Sequence, residues 1–134
     1  MKYPHLMVVQ PPPVRVAGST VILTKGFLEG VEATQPVVAD LLRDRRQFGL
    51  DKYGTLLRTH NGRDPRIDAL QEGLDQIVYL EQARLEALDK KDRVNLRLFT
   101  RLRLNAISIV DKLFNIIQEG EANASSTPST DTGR

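Results

Sequence analysis

Two pairs of carboxylates stand out for their spacing. Asp40 and Asp44 lie four residues apart, and Glu72 and Asp75 three apart, with Asp68 one turn before Glu72. At about 100° per residue, each pair falls on one stripe of a helix. Carboxylates crowded together repel one another, and a hard divalent cation with all-oxygen coordination removes that cost. Such a ligand set selects Mg²⁺ or Mn²⁺, and Mg²⁺ also bridges substrate phosphates. Lys52, Arg58 and Arg63 stand close by in sequence, and cations of this kind meet phosphate oxygens. Asn61 offers an amide to a sugar or base. Tyr53 and Tyr79 offer hydroxyls at the polar edge of their helices, and Tyr79 follows Asp75 by one turn, where it can steady a ligand carboxylate. Each feature also has a plainer explanation. Acidic helix flanks are commonly just solvated, Asn61-Gly62 turns a chain, and a tyrosine can sit in a core with a wet tip.

Composition removes other chemistries. The 134 residues include no cysteine, no tryptophan and two histidines, His5 and His60. Disulfides, thiolate zinc sites and cysteine nucleophiles are therefore absent, as is the two-histidine metal motif, and a serine–histidine triad is disfavoured. There is no Walker A loop, no G-x-G-x-x-G and no His-Asp doublet. No apolar run approaches the roughly 20 residues of a bilayer span, and the N-terminus lacks a secretory pattern, so a cytoplasmic chain without a membrane partner is expected. A formal charge of +2 with 27% charged residues is too small a bias to argue for nucleic acid by itself.

Periodicity supplies the elements that must position the carboxylates. Val37, Val38, Leu41, Leu42, Arg45, Phe48 and Tyr53 fall broadly on one side of a helix over 36–53, opened by Pro36 and stopped at Gly54. Asp64-Pro65 reads as a cap and first-turn proline for a second helix over 65–88. Its apolar face is Ile67, Leu70, Leu74, Ile77, Val78, Leu85 and Leu88. After a break at 89–92, a third helix of roughly 28 residues carries a heptad seam. That seam is Phe99, Leu102, Ala106, Ile109, Leu113 and Ile116, and it should pack on another helix of this chain or of a partner. Pro11-Pro12-Pro13 is stiff and extended, and Ala17-Gly18-Ser19 can turn one short strand into another. The expected fold is all-α: a helical bundle of an antiparallel helix pair plus a long C-terminal helix. A short extended or β-hairpin arm over 1–35 precedes a helical domain over 36–119, and a small, polar, disordered tail follows over 120–134. Antiparallel packing of the first two helices would set Asp44 across from Glu72 and Asp75.

The stretch DRRQFGLDKYGTLLRTHNGRD followed by DALQEGLDQIVYL resembles the MazG-like all-α nucleotide pyrophosphohydrolases, closest to the phage dATP/dGTP pyrophosphohydrolase (MazZ) branch. The likeness covers about residues 38–82. One half of the family's metal motif, E-x-x-D, stands here as Glu72-Gly73-Leu74-Asp75. The other half, E-E-x-x-E, is missing, and Asp40 and Asp44 repeat only the spacing of its outer pair. The resemblance implies Asp44, Glu72 and Asp75 as catalytic metal ligands, with Asp40 as a further ligand, holding two or three Mg²⁺ or Mn²⁺ ions. It implies hydrolysis between the α- and β-phosphates of a purine deoxynucleoside triphosphate, dGTP and also dATP, to the monophosphate and pyrophosphate. Lys52, Tyr53, Asn61, Arg63 and Tyr79 are the expected substrate contacts. The expected setting is a phage-infected bacterial cytoplasm, with dGMP supplied for 2-aminoadenine DNA. Two helices cannot enclose a nucleotide alone, so the third helix's seam points to a homodimer or homotetramer. The competing expectation is a non-enzymatic helical oligomer that binds nucleic acid or a protein through Arg93, Arg97, Arg101 and Arg103.

Overall fold

A computed structural model describes residues 1–14, 18–23 and 25–125. Positions 15–17 and 24 of the expected arm, and 126–134 of the expected tail, lie outside the described residues. Among the described residues the fold is all-α, with four α-helices: α1 (Phe27–Thr34), α2 (Pro36–Tyr53), α3 (Pro65–Asp89) and α4 (Arg93–Ser125). Two short 3-10 turns, Pro4–Leu6 and Val21–Leu23, complete it. No described helix is long and apolar enough to cross a membrane. The chain divides into two compact units, Met1–Val9 with Asp64–Arg134, and Gln10–Arg63.

In the first unit α3 and α4 form an antiparallel hairpin. Asp64 opens α3 by accepting the Arg66 N–H at 2.9 Å, which satisfies one of the helix's free donors, and Pro65 needs no partner for its missing N–H. Lys91 takes a left-handed turn at φ 57°, and the Asp92 carboxylate accepts the Asn95 N–H at 3.1 Å to start α4. The core is Leu6, Ile67, Leu70 and Ile117, with Tyr3, Leu74, Val110, Leu113 and Phe114 packed on it. Gln71 holds the N-terminal segment on the hairpin by donating to the Leu6 and Val8 carbonyls at 3.0 and 2.8 Å.

The buried stripe of α4 differs from the expected seam. Phe99, Arg103, Ala106, Val110, Leu113 and Ile117 face inward, whereas Leu102, Ile109 and Ile116 stay about half exposed, at 47%, 55% and 54%. On α3 the buried line passes from Ile67 and Leu70 to Leu80 and Ala87, so Val78, Leu85 and Leu88 are left exposed. On α4 the buried stripe keeps the heptad period of the expected seam but takes Arg103, Val110 and Ile117 in place of their neighbours Leu102, Ile109 and Ile116, so the helix is turned by part of a step on α3. Gly73 permits the close approach, since a Cβ there would lie 2.8 Å from Val110 Cγ2. The helical path through Ser125 also makes 120–125 ordered structure rather than tail.

In the second unit the N-terminal arm forms no hairpin with itself among the described residues. It pairs with the 57–61 connection instead. Thr59 N–H donates to the Ser19 carbonyl at 2.9 Å, Val21 N–H to Leu57 at 3.0 Å, and Val14 N–H to Asn61 at 2.7 Å. Gly18 makes this approach possible, because a Cβ there would stand 2.1 Å from the Thr59 carbonyl oxygen. Within the expected arm, residues 27–34 are helical: Glu29 caps α1 by accepting the Gly26 N–H at 3.1 Å. Helix α2 has the expected ends, with Pro36 first and Gly54 at φ 69° last. Its buried side is Ala39 with half-buried Leu42 and Leu50, and Arg43 bridges to Glu32 of α1 at 2.9 Å. Val37, Leu41 and Phe48, read as its apolar face, are exposed. The sequence pattern shows one apolar face of α2, and α1 uses a different one.

Candidate functional site

Helix α3 sets Glu72, Asp75 and Tyr79 on a single outward stripe, since steps of three and four residues return to nearly the same angle. All three side chains are exposed, and neither carboxylate has a hydrogen-bond or ion-pair partner among the described residues. Three other acids of α3 and its cap are engaged, Asp64 with Arg66 at 2.8 Å, Glu81 with Arg84 at 2.8 Å and Glu86 with Gln82 at 3.1 Å, while Asp89 at the helix end is exposed like Glu72 and Asp75. Glu72 and Asp75 thus present two hard oxygen donors to solvent, the donor type that Mg²⁺ and Mn²⁺ take. Among the described residues, no three His, Asp or Glu side chains gather into a metal-holding group.

The other expected residues belong to the second unit. Asp44 is exposed and unpartnered, whereas Asp40 is ion-paired with Arg43 at 2.9 Å. Lys52 and Tyr53 are exposed at the last turn of α2, the ammonium 5.1 Å from the ring centroid. Asn61 is buried, at 8% exposure, and its side-chain oxygen accepts the Arg63 N–H at 3.1 Å. The Arg63 guanidinium donates to the Pro11 carbonyl at 2.8 Å. Asn61 therefore builds the turn and Arg63 tethers the proline segment to it, with Gly62 at φ 86° between them.

The sequence pattern held no notice of the ion-pair network on Glu81, which joins α3 to α4 through Arg103. Glu81 accepts two hydrogen bonds at 2.8 Å from Arg84 and a third from Arg103. The Arg84 guanidinium first, then that of Arg103, draws the Glu81 carboxyl down to about 2. The available signal was spacing, because Arg103 lies four residues past Phe99 and three before Ala106, on the buried stripe. Arg103 thereby leaves the proposed basic face, while Arg93, Arg97 and Arg101 stay exposed and unpaired among the described residues. A shallow, mostly apolar groove of about 480 Å³ runs along α3 beside Val78 and Leu85, and none of the candidate carboxylates lines it. Comparison of the chain with protein-family models, with curated proteins and with solved structures found no match.

Proposed function

We propose that the chain is a metal-dependent nucleotide pyrophosphohydrolase that cleaves a purine deoxynucleoside triphosphate, dGTP first, to the monophosphate and pyrophosphate. One observation carries this reading: the unpartnered, outward Glu72–Asp75 pair of α3, within the QEGLD string that resembles half of the family's metal motif. Its i, i+3 spacing and all-oxygen donors suit Mg²⁺ or Mn²⁺. The bound ions would neutralise the polyphosphate and activate the attacking water. Glu72 and Asp75 would hold the ions, and Tyr79 would steady their carboxylates. Of the other expected residues, Asp40 is engaged by Arg43 and Arg63 by the Pro11 carbonyl.

The test is a panel of the common deoxynucleoside triphosphates, incubated with the full chain in Mg²⁺, in Mn²⁺ and in excess chelator. Consumption of purine substrates that stops with chelator supports the proposal. No consumption under any condition, together with DNA binding that weakens steeply with salt, would favour a nucleic-acid-binding role for the unpaired Arg93, Arg97 and Arg101 instead.

A further inference from the structure

The chain's net positive charge is gathered in one stretch. Residues 89–110 hold six of its 19 lysines and arginines and only two of its 17 acids, a local charge of +4, so the remainder is net −2. From Arg93 to Val110, more than half of α4, there is no carboxylate at all. Arg93, Arg97 and Arg101 recur every four residues, so each step advances about 6 Å along the axis and about 40° around it. They lie on the side of α4 turned away from α3, roughly opposite the buried stripe of Phe99, Arg103, Ala106 and Val110. All three are exposed and have no hydrogen-bond or ion-pair partner among the described residues. Arg103, the fourth, is engaged by Glu81. Of the two acids in the stretch, both at the hairpin tip, Asp92 is held by Asn95.

These three charges do the helix no service. Cations near a helix N-terminus oppose its dipole, and Arg93 and Arg97 stand in the first two turns of α4, with no acidic residue in the first. No residue three or four away offers Arg97 or Arg101 a carboxylate, and the arginines repel one another at i, i+4. A row of phosphates removes each of these costs, because anions are favoured near a helix N-terminus and every guanidinium gains a partner. We infer that this ridge binds the phosphate backbone of duplex DNA without regard to sequence. The ridge has no outward aromatic ring on which unpaired bases could stack, since Phe99 is on the buried stripe. An α-helix fits the major groove of B-DNA but not the deep, narrow one of duplex RNA. Insertion into a lipid surface needs apolar side chains at the crest, whereas Val94, Leu98 and Leu102 stand about 100° round the helix from the arginines, on one flank. The ridge shares no residue with the proposed metal site, so DNA binding is expected whether or not the chain hydrolyses nucleotides.

The test is fluorescence anisotropy of a short labelled DNA duplex of mixed sequence, titrated with the full chain in excess chelator so that no hydrolysis intervenes. Three phosphate contacts predict that the logarithm of the binding constant falls against that of salt with a slope of about −2.7. Arg97→Gln combined with Arg101→Gln should bring the slope to about −0.9 and weaken low-salt binding at least several-fold, with the helical circular dichroism kept. Arg97→Lys, which keeps the charge, should keep the slope. Lys112→Gln, on the same helix beyond the basic stretch, and Glu72→Gln, in the proposed metal site, should bind DNA as the unaltered chain does. A DNA single strand, an RNA duplex and vesicles of phosphatidylcholine with phosphatidylserine are the competing ligands, each expected to bind more weakly. No binding at low salt, a slope that the double variant leaves unchanged, or tighter binding to any competitor would overturn the inference.

Discussion

Glu72 and Glu81 are two glutamates of one helix in opposite circumstances. Glu72 has no partner and, with Asp75, is available to a cation, so their charge is useful only when something binds there. Replacing either by its amide, Glu72→Gln or Asp75→Asn, keeps size and helix but removes the charged donor. Each should lower dGTP turnover by more than about 100-fold, the loss that even outer partners of a metal reach, with an unchanged helical signal. Glu81 belongs to stability. Its carboxyl sits at about 2 in the fold against an ordinary value of 4.5, so the unfolded chain binds more protons in that interval. The stabilisation from Arg84 and Arg103 is therefore complete above pH 4.5 and is lost as pH falls toward 2. A series of urea melts should show the midpoint dropping through that window, and Glu81→Gln should flatten that part of the curve. A wild-type midpoint that does not drop there, or a slope that the variant leaves unchanged, would remove the ion pair from the stability of α3–α4.

At the scale of elements, Gly73 shows two effects in competition. Alanine there would gain about 1 kcal/mol of helix propensity, but its Cβ would press on Val110 Cγ2 at 2.8 Å. Valine is stiff, and overpacking of a helix contact costs about 1–3 kcal/mol, so Gly73→Ala should be destabilising by up to about 2 kcal/mol in urea melts. A stabilised variant would mean that α3 and α4 do not approach so closely. Helices whose ends carry chemical markers were legible beforehand. Pro36 and Gly54 bound α2, Asp64-Pro65 opens α3, and those bounds match the structure to within a residue. Helix α1 was not legible, because eight residues give too few turns for a period and Gly26 is an inconspicuous cap. The face of α4 was ambiguous for a different reason. Two apolar heptads interleave on it, and spacing alone does not say which one the same chain covers. On the site, the stripe shared by Glu72, Asp75 and Tyr79 could be read from three- and four-residue steps. The commitments of Asn61, Arg63 and Asp40 could not, because their partners, Val14, Pro11 and Arg43, were set by tertiary contacts or by one of several available helix neighbours.

For the whole molecule, the sequence asks for more apolar cover than the hairpin provides. The core cluster of the first unit is Leu6, Ile67, Leu70 and Ile117, while α4 keeps a half-exposed stripe along its length. The proposed chemistry depends on where a triphosphate is cut, and the products report this directly. Full-length chain incubated with dGTP and Mn²⁺, with the products separated by ion exchange, should yield dGMP and pyrophosphate in equal amounts. Formation of dGDP with orthophosphate, or intact dGTP after prolonged incubation, would contradict it.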